Sequence, residues 1–411
     1  MKHVVGVLLL LGALLGTFTA TAAADDQVYS AIARGRYLAA VGDCTACHTK
    51  PGGKPFAGGL TIETPFGNLV SANITPDPKA GIGDWSDDDF VRSMQQGIAP
   101  GGKHLYPAEP YPAFTHVTRE DLLALRAYLA TIDPVSDAVE TNRLPFPFSI
   151  RDSMIAWNLL NFTPGEFRAD PAKSDEWNRG AYLVEGLGHC GTCHTPMNVM
   201  GANKKSQPMA GATLQGWYAP PLNNDKRTGL GAWSADDIVA YLKTGWGGGQ
   251  VASGPMALVV ADSTSKLTDV DLQAIATYLK DIAAPAGTAP TPLAASNSVM
   301  QAGRALYVVN CAACHMESGA GVAGIFPTLV KSPAVQAADT ASLLDVVLNG
   351  GHAVATESSP TAPGMPAFGW KLSDNQVAAL LTYIRNDWGN AANAVAANDV
   401  NAARAHPAAA N

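Results

Sequence analysis

All six cysteines of this chain stand in three C-x-x-C pairs, and a histidine follows each pair at once: Cys44–Cys47–His48, Cys190–Cys193–His194 and Cys311–Cys314–His315. A fold must bring each triplet to a place where two thiols and an imidazole face the same object. Six cysteines could instead form three disulfides in an exported chain. With nine His in 411 residues, however, a His at one chosen position is roughly a 1-in-50 event. Here it occurs three times, with no cysteine left over. Structural zinc fits poorly, because such sites close with a second ligand pair and none recurs at fixed spacing. Covalent haem attachment does need this spacing. Two thiols on one turn of helix each bond a vinyl group, and the adjacent His lies under the iron as proximal ligand. The motifs therefore predict three haems c. Cys44, Cys47, Cys190, Cys193, Cys311 and Cys314 attach them, and His48, His194 and His315 bind iron.

The sequence around the motifs repeats. Arg34-Gly35-Arg36-Tyr37-Leu38 precedes the first, Arg179-Gly180-Ala181-Tyr182-Leu183 the second, and Ala302-Gly303-Arg304-Ala305-Leu306-Tyr307 the third. Small Gly at matching places would let another helix pass close by. Downstream, the segments from Thr118 to Leu129, Thr268 to Leu279 and Ser373 to Ile384 are also parallel. Each opens with Ser or Thr and has Asp or Gln three residues on, close to the capping-box pattern, before apolar residues at helical spacing. Trp85-Ser86 and Trp233-Ser234 announce a middle helix, with a weaker version near Asp339. Each unit reads as first helix, haem motif, long loop, middle helix, ligand loop and last helix. This order resembles the small class I cytochrome c fold, so the fold class expected is all-α, with three tandem domains of that kind over 27–133, 175–283 and 297–388. Between them lie a join (134–174) rich in apolar residues, suited to packing on a domain or partner, and a Pro/Ala linker (284–296). The residues from 389 to 411 read as a polar, flexible tail.

Electron-transfer haems c commonly complete their iron with a Met thioether. The ligand loops of the second and third units contain Ala252-Ser253-Gly254-Pro255-Met256 and Pro363-Gly364-Met365-Pro366, so Met256 and Met365 are the expected distal ligands. The first unit breaks the pattern. Its loop runs Leu105-Tyr106-Pro107-Ala108-Glu109-Pro110, with Glu109 where Met256 falls, give or take a residue. Met94, on an apolar helical stripe with Phe90 and Val91, reads as core. Glu109, Met94, His104, His116 or an open position all remain candidates there.

Lys2, the apolar run Val4 to Leu15 and the small residues ending Ala22-Ala23-Ala24 form a signal-peptide pattern over 1–24. Export to the periplasm, or to the periplasmic face of a bacterial inner membrane, is expected. No later segment has the roughly 18 uninterrupted apolar residues of a membrane span, so membrane association would be peripheral. A formal charge of −8 with 15% charged residues excludes a basic nucleic-acid surface. No dinucleotide fingerprint or nucleophile motif appears, so no catalytic residue is assigned.

Together with the three motifs, Trp217-Tyr218-Ala219-Pro220-Pro221, Gly254-Pro255-Met256 and Trp388-Gly389-Asn390 resemble the triheme cytochrome c subunits of membrane-bound bacterial dehydrogenases, which act on alcohol, gluconate, fructose, sorbitol or aldehyde. The resemblance covers nearly the whole mature chain. It implies an electron-transfer subunit, not an enzyme by itself. Electrons would come from a separate catalytic subunit dependent on PQQ, flavin or molybdenum, and pass to ubiquinone or a downstream cytochrome or oxidase. The family commonly has Met or Phe where Glu109 stands, and its His-Thr-Pro-Arg is His194-Thr195-Pro196-Met197 here. A free-standing carrier, or an oxidase-linked cytochrome, is the alternative. A peroxidase-like haem enzyme is another, if the first iron is open.

Overall fold

The computed structural model describes residues 28–137, 139, 142–285 and 287–406; the expected leader lies outside them. The first repeat opens with a helix over 28–41 (α1) and the motif helix Cys44–His48 (α2). Asp87–Gln96 (α3), the single turn Tyr111–Phe114 (α4) and Arg119–Leu129 (α5) follow. The join carries Ser153–Asn161 (α6). The second repeat contains Asp175–Glu185 (α7), the motif helix Gly191–His194 (α8), Ala235–Thr244 (α9), Pro255–Asp262 (α10) and Asp269–Asp281 (α11). The third contains Ser298–Asn310 (α12), Ala312–His315 (α13), Pro333–Gln336 (α14), Ala341–Asn349 (α15) and Asp374–Ile384 (α16), and Ala397–Ala405 (α17) ends the described chain. Among the described residues no helix is long and apolar enough to cross a membrane.

First and last helices of each repeat cross at the matching glycine. A Cβ on Gly35 would lie 1.9 Å from the carbonyl oxygen of Ala124, one on Gly180 2.0 Å from that of Ala274, and one on Gly303 2.2 Å from that of Ala379. The backbones meet there without a side chain between them. Ser86 and Ser234 close full capping boxes with Asp89 and Asp237 at the start of α3 and α9, leaving few free amides at those helix starts.

The long loops after the first two motifs are partly sheet, where the sequence reading had only loop. Thr61–Thr64 pairs with Gly67–Val70, and Ala212–Leu214 with Trp217–Ala219. The second hairpin turns on Gln215 and Gly216, at φ 50° and 82°, the left-handed pair that a two-residue type I′ turn requires. Strands of three or four residues are too short for alternation to show in a sequence.

One apolar core runs through the first two repeats. Leu38, Val117, Leu122 and Leu125 from one side and Leu183, Val184 and Leu272 from the other are all buried in it. Its polar seam is reciprocal. Tyr37 in α1 donates to Asp271 Oδ2 in α11 (2.5 Å), and Tyr182 in α7 donates to Asp121 Oδ2 in α5 (2.6 Å). Each acid also holds the arginine of its own repeat: Arg179 Nε reaches Asp271 Oδ1 at 2.7 Å, and Arg34 pairs with Asp121.

The third repeat has a separate core around Tyr307, Val377, Leu380 and Leu381. It docks on the second mainly by polar contacts. Arg227 Nη1 donates to the carbonyls of Gln336 (2.8 Å) and Ala391 (3.2 Å), Ser332 Oγ to Gln250 Oε1 (2.6 Å), and the Tyr218 amide to Ser342 Oγ (2.8 Å). A small apolar patch of Ala252, Val260 and Val354 completes this contact.

In the join, Trp157 is buried edge-on to Tyr111, whose ring also meets Phe162, and it donates to the Met200 carbonyl at 2.9 Å. Leu159, Leu160 and Phe146 remain exposed. The tail departs from its expected flexibility. Val400 of α17 is fully buried, and Arg404 bonds Asp374 Oδ1 and the carbonyls of Gly369 and Leu372 at 2.6–2.7 Å. Ala- and Asn-rich composition hid this, because two valines, Val395 and Val400, and one arginine supply much of the anchoring. Residues 407–411 lie outside the description.

Candidate haem sites

Each motif forms a helical turn of four or five residues ending on its histidine, and all three imidazoles are buried. In each, Nδ1 faces a main-chain carbonyl: Ala72 at 2.7 Å for His48, Pro220 at 2.6 Å for His194, and Pro327 at 3.0 Å for His315. A carbonyl only accepts, so Nδ1 carries the proton and Nε2 presents its lone pair, the tautomer that binds a metal. Burial pushes the pKa of His194 and His315 below the ordinary value, against a smaller opposing effect of the carbonyls. Both rings are therefore neutral at neutral pH. The six thiols are all free. Paired thiols beside a neutral, oriented imidazole are the donor set that covalent haem needs, and the residues fit that group.

The first two motifs converge. Burial pushes the Cys47 thiol up to about 12, with Glu109, Asp43 and then Cys193 adding to it. Between these motifs lie two residues the sequence reading did not single out. His189 is buried with Nε2 3.3 Å from the Gly42 carbonyl and its ring edge-on to Phe114. Asp43, left-handed at φ 49°, has a buried Oδ1 without a hydrogen-bond partner. Burial, helped by Asp262 and opposed by Lys266, raises its carboxyl to about 7. His189 directly precedes the second motif and Asp43 the first; that adjacency was the available signal.

Of the two methionines expected as distal ligands, Met256 sits in the first turn of α10, half-buried against the shared core. Gly254, at φ 57°, lets the Trp217 ring pass where a Cβ would meet it at 2.6 Å. Met365 lies in a two-residue strand beside Gly351–His352 and, with Asn349 and Pro366, lines a cleft of about 510 Å³. Of the four first-repeat candidates, the structure sets Glu109 against His48, with Oε2 3.6 Å from Nε2. Burial lowers the His48 pKa, but Glu109 outweighs it and the net shift is upward. Met94 is buried in the shared core with Phe90 and Val91. His104 lies in a short strand paired with Ile98, its carbonyl taken by Arg151 at 2.7 Å. The His116 carbonyl accepts from the Phe167 amide at 3.0 Å.

The cytochrome c family model matches residues 32–133 and 300–388. The chain is 41% identical over 414 residues to the gluconate 2-dehydrogenase cytochrome c subunit of Pantoea cypripedii, covering 95% of this chain and 93% of that one. It is 40% identical over 399 residues to the cytochrome c subunit of alcohol dehydrogenase (quinone) of Gluconobacter oxydans (strain 621H), covering 92% and 83%. A third relative, the fructose dehydrogenase cytochrome subunit of Gluconobacter japonicus, is 38% identical over 404 residues, covering 91% and 82%. With such likeness along almost its whole length, this helix-rich chain belongs to the family of cytochrome c subunits of dehydrogenases.

Proposed function

We propose that this chain carries electrons, one at a time, from a dehydrogenase catalytic subunit through three haems c to ubiquinone or another respiratory acceptor. The observation that carries the reading is the threefold recurrence of a buried, carbonyl-anchored histidine beside two free thiols. Bound haem supplies a one-electron iron couple. The chain's own residues do the rest. The six motif cysteines fix the group covalently, and Ala72, Pro220 and Pro327 hold His48, His194 and His315 in the ligating tautomer. Met256 and Met365 offer soft thioethers that favour the reduced metal and so a higher potential. The reading divides the chain into three class I cytochrome c-like, all-α domains over 27–133, 175–283 and 297–388, and sets the protein, after export, at the periplasmic face of the inner membrane. The catalytic partner would hold PQQ, flavin or molybdenum and would select the substrate.

Two measurements test this reading. The intact mass of the protein should exceed that of the mature polypeptide by three haems. Gentle purification from membranes should bring down a large dehydrogenase subunit whose substrate reduces all the haems. A chain that elutes alone, with haems that no dehydrogenase substrate reduces, would overturn the subunit role.

A further inference from the structure

We infer that the carboxylate of Glu109 is the sixth ligand of the first haem iron, an inference that rests on the haem reading of Cys44–His48. His48 Nδ1 is committed to the Ala72 carbonyl, so the ligating atom is Nε2, and Glu109 Oε2 stands 3.6 Å from it. That separation is too wide for a hydrogen bond. Two metal bonds of about 2 Å laid end to end would span about 4 Å. The 3.6 Å between the two atoms comes within about 0.4 Å of that span.

The loop that carries Glu109 is held from several sides. Its amide donates to the Tyr106 carbonyl (3.0 Å), its carbonyl accepts from the Tyr111 amide (2.7 Å), and Pro110 restricts the chain behind it. Tyr111 is fully buried, and its hydroxyl donates to Asn158 Oδ1 at 2.6 Å. The join helix α6 therefore braces this ligand loop, which gives the apolar join a task at the first site. Of the other candidates, Met94 is packed into the shared core, while the His104 imidazole has a buried Nδ1 without a hydrogen-bond partner, and the number of imidazole nitrogens on the first iron separates it from Glu109. Glu109 also falls within a residue of the repeat position of Met256.

The consequence is chemical. A hard, anionic carboxylate favours the ferric state where a thioether favours the ferrous one, so the first haem has the lowest potential of the three.

Mass mapping of the Cys44–His48 peptide comes first. A bare peptide overturns the haem reading of this segment and the ligand assignment with it. A haem-bearing peptide leaves the assignment to stand or fall on spectra. For the loaded full-length protein, ferric absorption and electron paramagnetic resonance spectra and a potentiometric titration are compared with Glu109→Met and Glu109→Gln. The parent should show the iron–thioether signature for two haems only. Hyperfine spectra of its first iron, which need no variant, should show one imidazole nitrogen. Glu109→Met should add a third thioether signature and raise one midpoint potential, leaving the other two in place. Glu109→Gln should change the spectrum of that same haem. Three thioether signatures in the parent, two imidazole nitrogens on the first iron, or variants that leave every spectrum and potential unmoved would overturn the assignment.

Discussion

A methyl group on Gly180 would sit 2.0 Å from the carbonyl oxygen of Ala274 and 2.8 Å from Tyr278 Cβ. Neither neighbour is the end of a flexible chain, so α7 and α11 would have to part. Gly180→Ala, despite its better helix propensity, should lower stability by roughly 1–3 kcal/mol, the usual cost of overpacking. Denaturant unfolding checks this; a midpoint that rises, as propensity alone would have it, refutes the crossing. Asp271 makes a prediction about acid. Burial pushes its carboxyl up, but hydrogen bonds from Arg179 and Tyr37 and the Arg179 charge outweigh burial and hold it below the ordinary value. A depressed folded pKa means that the stabilisation is fully present above the unfolded value of about 3.9 and is lost as pH falls through the folded one. Removing the carboxyl with Asp271→Asn should therefore flatten the fall in stability below about pH 4, and a parent and variant with parallel acid limbs would refute that role.

The elements show where sequence reasoning succeeds and where it stops. Helices with Ser at the N-cap were legible because cap and partner lie three residues apart, within one local pattern. Ser234→Ala should lower stability by about 1 kcal/mol, read by thermal unfolding, since the box at Ser234 is complete. The same pattern misled at α5 and α11. Thr118 and Thr268 do cap their helices, but Asp121 and Asp271 turn their carboxylates to Arg34 and Tyr182, and to Arg179 and Tyr37. A capping-box acid and an acid of the seam between repeats look alike in one dimension. Only the pairing across 234 and 61 residues distinguishes them. The motif histidines stood out for another reason, since each closes a pattern that is contiguous in sequence. Their carbonyl partners lie 12 to 26 residues away and carry no side-chain signature. Glu109 was found only by comparing repeats, and its relation to His48 is a fact of three dimensions.

Across the whole molecule, the two kinds of contact between repeats differ. The first two share one core, and the third has its own. Calorimetry should resolve at least two transitions, with the first two repeats melting as one block; three separate transitions would contradict the shared core. Arg227→Ala removes the donor to the Gln336 and Ala391 carbonyls and should loosen the third repeat by about 1–3 kcal/mol without shifting the transition of the first pair. The reciprocal seam has a further consequence for how such a chain can be inherited. A gene cut between the first two repeats would leave each half with a buried acid whose phenol had gone to the other half. The third repeat, with a core of its own and joined by a few polar contacts and one small apolar patch, can be exchanged or lost on its own, while the first two travel together.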